Sequence, residues 1–136
     1  MIPATPTISV AAFLKRNWEP CRFWPRAALL TWLAWYYDDA RCGVVKRAGK
    51  IVAVGLVRRV AEVDATERPA EYSHNENGAV AWVELLINKD RRGLAVLWAI
   101  LLARCKGADY VAWERLKSGN RTSIFPIDAM TRRVLT

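Results

Sequence analysis

The segment from Ala79 to Arg115 constrains the fold more than any other part of the chain. Ala79-Val80-Ala81-Trp82-Val83-Glu84-Leu85-Leu86-Ile87-Asn88 is a near-continuous apolar run, which reads as a central strand buried on both faces. Leu94, Leu97, Trp98, Leu101 and Cys105 then repeat at helical spacing over about 91–106, and Gly107 follows as a C-cap. Residues 108–115 read as another strand. A strand, a helix and a strand in this order make a crossover unit, so the two strands should be parallel neighbours or splayed.

The flanking sequence supplies the rest of one α+β domain spanning residues 1–136. Residues 1–6 read as an unstructured lead-in. A short helix over about 8–17 is expected next, capped by Thr7 or Ser9, with Ile8, Phe13 and Leu14 apolar. Glu19-Pro20 breaks it, because a residue before proline is pushed out of helical geometry. A second helix starts near Pro25, carries an apolar stripe through Leu29, Leu30, Trp32, Leu33 and Tyr36, and ends at Asp38-Asp39. Residues 42–47 and 50–60 read as a β-hairpin turning at Gly49. Residues 61–78 are polar and read as a loop, and 122–127 as a last strand. The expected order is α, α, β, β, loop, β, α, β, β, with no internal repeat or linker.

Charge and cysteine usage bound the partners. Lys and Arg outnumber Asp and Glu by 21 to 13, a net charge of +8, so this basic protein favours an anionic partner such as a phosphate group, a nucleic acid or an acidic protein. Such a charge also serves solubility alone. Cys21, Cys42 and Cys105 form neither a disulfide framework nor a metal-ligand spacing. The first residues lack the basic stretch of a secretory signal, and the longest apolar run, Leu94 to Leu102, is too short to span a bilayer. A reducing cytoplasm is the expected location. Seven Trp are many for this length, and several should line a core or a ligand cleft.

Two places carry candidate chemistry. The turn Lys89-Asp90-Arg91-Arg92-Gly93-Leu94-Ala95 joins the central strand to a helix N-terminus, whose free N–H groups and dipole favour phosphate. Gly93 lets a ligand approach the backbone closely, and Lys89, Arg91 and Arg92 add charge. The bland alternative is an ordinary turn with solvated basic residues. Glu84 interrupts the apolar run, so its carboxylate must be paired, hydrogen-bonded or neutralised. Burial would raise its pKa, which suits a general base for an amine. His74, the only histidine, sits in a polar stretch and reads as solvated. No Ser-His-Asp arrangement and no metal-ligand set is visible.

The turn at 89–95 resembles the acyl-CoA pyrophosphate loop of the GNAT acyltransferase superfamily, Gln/Arg-x-x-Gly-x-Gly/Ala. Gly93 and Ala95 match, whereas Asp90 stands where the pattern has Gln or Arg. The resemblance implies a GNAT-like mixed sheet with flanking helices, and a donor held by Arg91, Arg92, Gly93, Leu94 and Ala95. GNAT proteins usually carry another helix after the following strand, but the residues after Arg115 read here as turn and strand. Among divergent GNAT-like families, the toxin-activating acyltransferases of RTX systems have a similar short end. They move a fatty acyl chain from acyl carrier protein to a protein lysine.

Their His-Arg-x-Trp-Pro motif is similar to Cys21-Arg22-Phe23-Trp24-Pro25, with Cys21 in place of the proposed catalytic His, and Trp82-Val83-Glu84 stands where they carry a catalytic Asp. The resemblance therefore implies that Cys21 and Glu84 face one cleft. There Cys21 could serve as a nucleophile if its pKa were lowered, or it could be a small buried hydrophobe. The leading reading is a GNAT-like acyltransferase that moves an acyl group from acyl-CoA or acyl carrier protein to an amine such as a protein lysine, without a metal. Acyl carrier proteins are acidic, which suits the +8 charge. The alternatives are a catalytically silent GNAT-like binding or structural protein, and a basic nucleic-acid-binding domain. The last is weakest, because the aromatic residues sit in apolar runs rather than among the basic ones.

Overall fold

The hairpin forms where the β-branched run meets Ala48-Gly49. Both residues have positive φ, 52° and 78°, the conformation that matches a two-residue turn to the right-handed twist of the strands it joins. In the computed structural model, which describes residues 5–38, 40–63, 68–115 and 121–135, this turn links β1 (Cys42–Arg47) to β2 (Lys50–Val60), with Arg47 opposite Lys50.

β2 pairs antiparallel with β3 (Val80–Asn88). The chain then crosses through helix α3 (Gly93–Arg104) to β4 (Tyr110–Arg115), which is parallel to β3. Pairing joins only Val80–Trp82 to Tyr110–Ala112 and stops there, so the strands are parallel neighbours that separate at one end, as the crossover predicted. β5 (Arg121–Pro126) returns antiparallel to β4, completing a sheet of order β1-β2-β3-β4-β5.

Helices α1 (Thr5–Asn17) and α2 (Arg26–Asp38) cover one face of the sheet. Val10, Phe13, Leu14, Leu29, Leu33 and Tyr36 are buried there with Val54, Leu56 and Leu85. The other face receives α3, whose Leu97 and Leu101, with Cys105 just after the helix, pack on Ala53, Val57 and Ala81. Gly55 makes this close approach possible, because a Cβ there would lie 2.9 Å from Leu101 Cδ1.

Four expectations need correction or restriction. Thr5 and Pro6 belong to α1 rather than to a lead-in, and Thr7 is a buried helical residue, not a cap; residues 1–4 lie outside those described, as do 116–120 of the turn expected over 116–121, whose Arg121 begins β5. The chain does not end in a strand. Ile127 opens a further helix, α4 (Ile127–Leu135), donating its N–H to the Asp109 carbonyl at 2.9 Å. Trp98 Nε1 donates to Thr131 Oγ1 at 3.0 Å and ties this helix to α3.

Candidate functional site

The site begins with a defect in β3. Leu56 faces Leu85 and Val57 faces Val83, so Glu84 is the extra residue of a β-bulge. The bulge shifts the side-chain phase. Val83 and Leu86 pack on the α3 side, while Leu85 and Ile87 join the α1–α2 core. Glu84 keeps the face of Trp82 and Arg58 by ordinary alternation, and the bulge brings Leu85 to the same side.

There its carboxylate is clamped. Arg58, with a fully buried side chain, donates from Nη1 to Glu84 Oε2 at 3.1 Å and to the Tyr36 hydroxyl at 2.9 Å. The other Arg58 terminal nitrogen donates to the carbonyls of Pro69 and Ala70 at 3.3 and 3.0 Å. Trp82 Nε1 donates to Glu84 Oε2 at 2.7 Å, and Arg68 pairs with Oε1. The polar interruption seen in the sequence is thus an ion-pair network in which both Glu84 oxygens are paired, with a Glu84 side chain that is 5% exposed and only Arg58 Nε, among the polar side-chain atoms of this Arg58–Glu84 pair, left without a partner. Burial first, then the nearby Glu84 charge, pushes the Tyr36 hydroxyl above the usual phenol range.

Two cavities meet at this point. One, of about 300 Å³, is walled by Trp18, Trp24, Trp32 and Trp82 and carries Arg68, Glu71, Glu84 and Glu114. The other, of about 540 Å³, lies where β3 and β4 part. It is lined by residues 83–87 of β3, by Leu94 and Trp98 of α3, by Trp113, and by Met130 and Val134 of α4. Trp18, Val83, Glu84 and Glu114 line both. Glu114 lies on β4 beyond its last pair with β3; its backbone pairs with Thr122 of β5, and its carboxylate, near Arg68, has no side-chain hydrogen bond to another described residue. No local signal in the sequence distinguished Glu114, Arg58, Arg68 or Glu71, because only the tertiary fold brings them together.

Cys21 does not line either cavity. Its side chain is fully buried in the α1–α2 core, and Sγ donates to the Trp18 carbonyl at 3.3 Å. Burial pushes its thiol pKa up, and the Lys15 charge only partly opposes this. That is the reverse of what a thiolate nucleophile needs, and the structure favours the buried-hydrophobe reading of Cys21. The Cys21–Pro25 turn is held by Lys15, whose Nζ donates to the carbonyls of Cys21 and Arg22 at 2.9 and 3.2 Å and to that of Trp24.

The turn before α3 is also more occupied than its sequence indicated. The Arg92 N–H donates to Asp90 Oδ1 at 2.9 Å, and the Gly93 N–H to the Asp90 carbonyl at 2.8 Å. Asp90 also pairs with Arg47 at 2.7 Å. Asp90 thus closes a tight turn just before the helix and takes up two amides that were expected to be open to a phosphate. Gly93 is buried, and a Cβ there would lie 3.2 Å from Asn88 Oδ1. The Arg91 and Arg92 side chains remain exposed, and Leu94 contributes to the apolar cavity. His74 is exposed, and its Nδ1 accepts the Arg59 N–H at 3.2 Å.

Among the described residues no group of three or more His, Cys, Asp or Glu could hold a metal ion. No described helix is long and apolar enough to cross a membrane.

No family model matches the chain, and no curated protein matches it. Solved structures do. The GphF GNAT-like decarboxylase in complex with isobutyryl-CoA superposes with a TM-score of 0.59 at 22% identity, covering 84% of this chain and 63% of that one. The loading GNATL domain of CurA from Lyngbya majuscula superposes with a TM-score of 0.58 at 15% identity, covering 81% and 60%. The fold is therefore GNAT-like, as the sequence resemblance implied, and the chain spans about three fifths of the length of each structure. Neither structure points to the toxin-activating family.

Proposed function

We propose that the protein is an acyltransferase whose thioester donor and amine acceptor meet at the shared wall of the two cavities. The observation that carries this reading is the junction itself. An apolar compartment opens between separated parallel strands, a carboxylate-lined compartment adjoins it, and Glu84 and Glu114 belong to both. The apolar cavity suits an acyl chain, and the edge of β3 beyond Trp82, unpaired with β4, suits the amides of a pantetheine arm. The donor is an acyl-CoA or an acyl carrier protein. The occurrence of isobutyryl-CoA in a structural neighbour supports a donor of this kind. Arg91 and Arg92, with Gly93, Leu94 and Ala95 behind them, are assigned to its phosphates.

In the transfer, the amine nitrogen attacks the thioester carbonyl, the C–N bond forms, and the C–S bond breaks with the electron pair leaving on sulfur. The proton shed by nitrogen needs an acceptor. Glu84 already receives two guanidinium groups and an indole N–H. Its assigned role is to hold Arg68 and Trp82 in place, while Glu114 takes the proton. Cys21 takes no part, and no acyl-cysteine forms. The lysine acceptor and carrier-protein donor implied by the toxin-activating resemblance remain one version of this chemistry.

A second reading, a silent GNAT-like binding protein, draws on the Asp90 turn, which occupies amides a diphosphate would use. Thermal unfolding with isobutyryl-CoA and with isobutyrylated carrier protein tests donor binding. A ligand at about 100 times its Kd should add about 2.7 kcal/mol of stability. Stabilisation by neither would remove the acyltransferase reading; stabilisation without amide product would leave the binding protein.

A further inference from the structure

We infer that the tryptophan-walled cavity is a cation-selective subsite that takes a single ammonium group on an apolar stem. The inference names the acceptor class and so rests, for its catalytic meaning, on the acyltransferase reading.

Three features lead to it. First, the wall is aromatic. Trp18 and Trp32 lie nearly parallel, 5.6 Å between centroids at 10°, and Trp24 stands across both, at 5.6 Å and 80° from Trp18 and 5.3 Å and 83° from Trp32. Second, two of the four indole N–H groups of the wall are spent. Trp32 Nε1 donates to Glu71 Oε1 at 2.9 Å and Trp82 Nε1 to Glu84 Oε2 at 2.7 Å. Their strongest hydrogen-bond donors therefore serve the protein's own carboxylates, and indole π faces carry the electrostatic attraction for a cation.

Third, the charge runs against the rest of the molecule. The chain carries +8 overall, yet Glu71, Glu84 and Glu114 line this cavity. Arg68 and the buried Arg58 behind Glu84 offset two of those charges, which leaves an excess of one negative charge among the described residues of the wall. An anion would meet the excess directly. A neutral guest would desolvate Glu114, whose charge is near an Arg68 already shared with Glu84 and Glu71, without adding a partner, which is unfavourable. One ammonium supplies the missing partner, and about 300 Å³ accommodates a short alkyl stem.

The test titrates the intact protein with butylammonium, which has the four-carbon stem and ammonium of lysine, and with neutral n-butanol, by calorimetry and tryptophan fluorescence. Butylammonium should bind about tenfold or more tightly than n-butanol, which corresponds to about 1.4 kcal/mol. Glu114→Gln should remove most of that preference, and Trp24→Leu should weaken butylammonium while leaving unfolding cooperative. Equal binding of the two probes, or a preference unchanged in Glu114→Gln, would overturn the subsite. Isobutyryl-CoA titrated into the same preparation separates the two failures. Donor binding with no cation preference rejects the subsite alone, and a cation preference with no donor binding rejects the acyltransferase reading alone.

Discussion

Replacing Glu84 with Gln should damage the fold before it informs on chemistry. The side chain is 5% exposed, and its partner Arg58 is fully buried with its charge turned toward Glu84 and Tyr36. Gln keeps one carbonyl acceptor for Arg58 or Trp82, but its NH2 group faces the second guanidinium. Removing one partner of a buried ion pair costs about 3–5 kcal/mol; the retained acceptor reduces this to about 2–4 kcal/mol. For a chain of this size roughly 3–4 °C accompanies each kcal/mol, so Tm should fall by about 10 °C. Urea unfolding followed by tryptophan fluorescence should show a lower midpoint at an unchanged slope. The double variant Arg58→Met with Glu84→Leu should recover most of the loss, because no orphaned charge remains. A Glu84→Gln unfolding free energy within about 0.5 kcal/mol of the parent would refute the clamp.

Other expectations are more local. Cys21→Ser should leave acyl transfer within about twofold, because the thiol lies in the core away from both cavities; a rate loss of about a hundredfold in a folded variant would restore a covalent role. Arg91→Glu with Arg92→Glu should weaken isobutyryl-CoA about tenfold or more, and Asp90→Gln should strengthen it by freeing the Arg92 amide. Unchanged affinity in both would move the phosphate site elsewhere. Burial pushes the Cys42 thiol from 9.0 up to about 12, with Arg104 opposing weakly. The unfolded thiol then ionises first, so this contribution to stability is complete below pH 9.0 and declines as pH rises toward about 12. Cys42→Ala should flatten that decline in alkaline unfolding curves, and an equally steep decline would assign it to other groups.

The crossover from Val80 to Arg115 was legible because its pattern is local: a two-sided apolar strand, a helical repeat and a C-capping Gly107. The hairpin was legible from its β-branched run and Gly49. Helix α4 was missed although Ile127, Met130 and Val134 sit at i, i+3 and i+7, because the segment is short and the apolar stretch before it extended the strand pattern. The bulge at Glu84 had no sequence signal, since it exists only in the register with β2. Glu84 was recognisable as a carboxylate in an apolar run, but its partners come from β2 and from the polar segment after it. Cys21 was assigned a cleft position through motif resemblance, and only the packing of α1 and α2 around it reveals its burial.

The most direct measurement incubates the protein with isobutyryl-CoA and butylamine and follows products by mass spectrometry, in the parent and in Glu114→Gln. Acyl transfer at the shared wall predicts N-butylisobutyramide and free CoA in equal amounts from the parent. It predicts a loss of at least about a hundredfold in Glu114→Gln, the scale at which a positioned proton acceptor contributes. Donor binding without amide, or equal amide formation by both proteins, would contradict it.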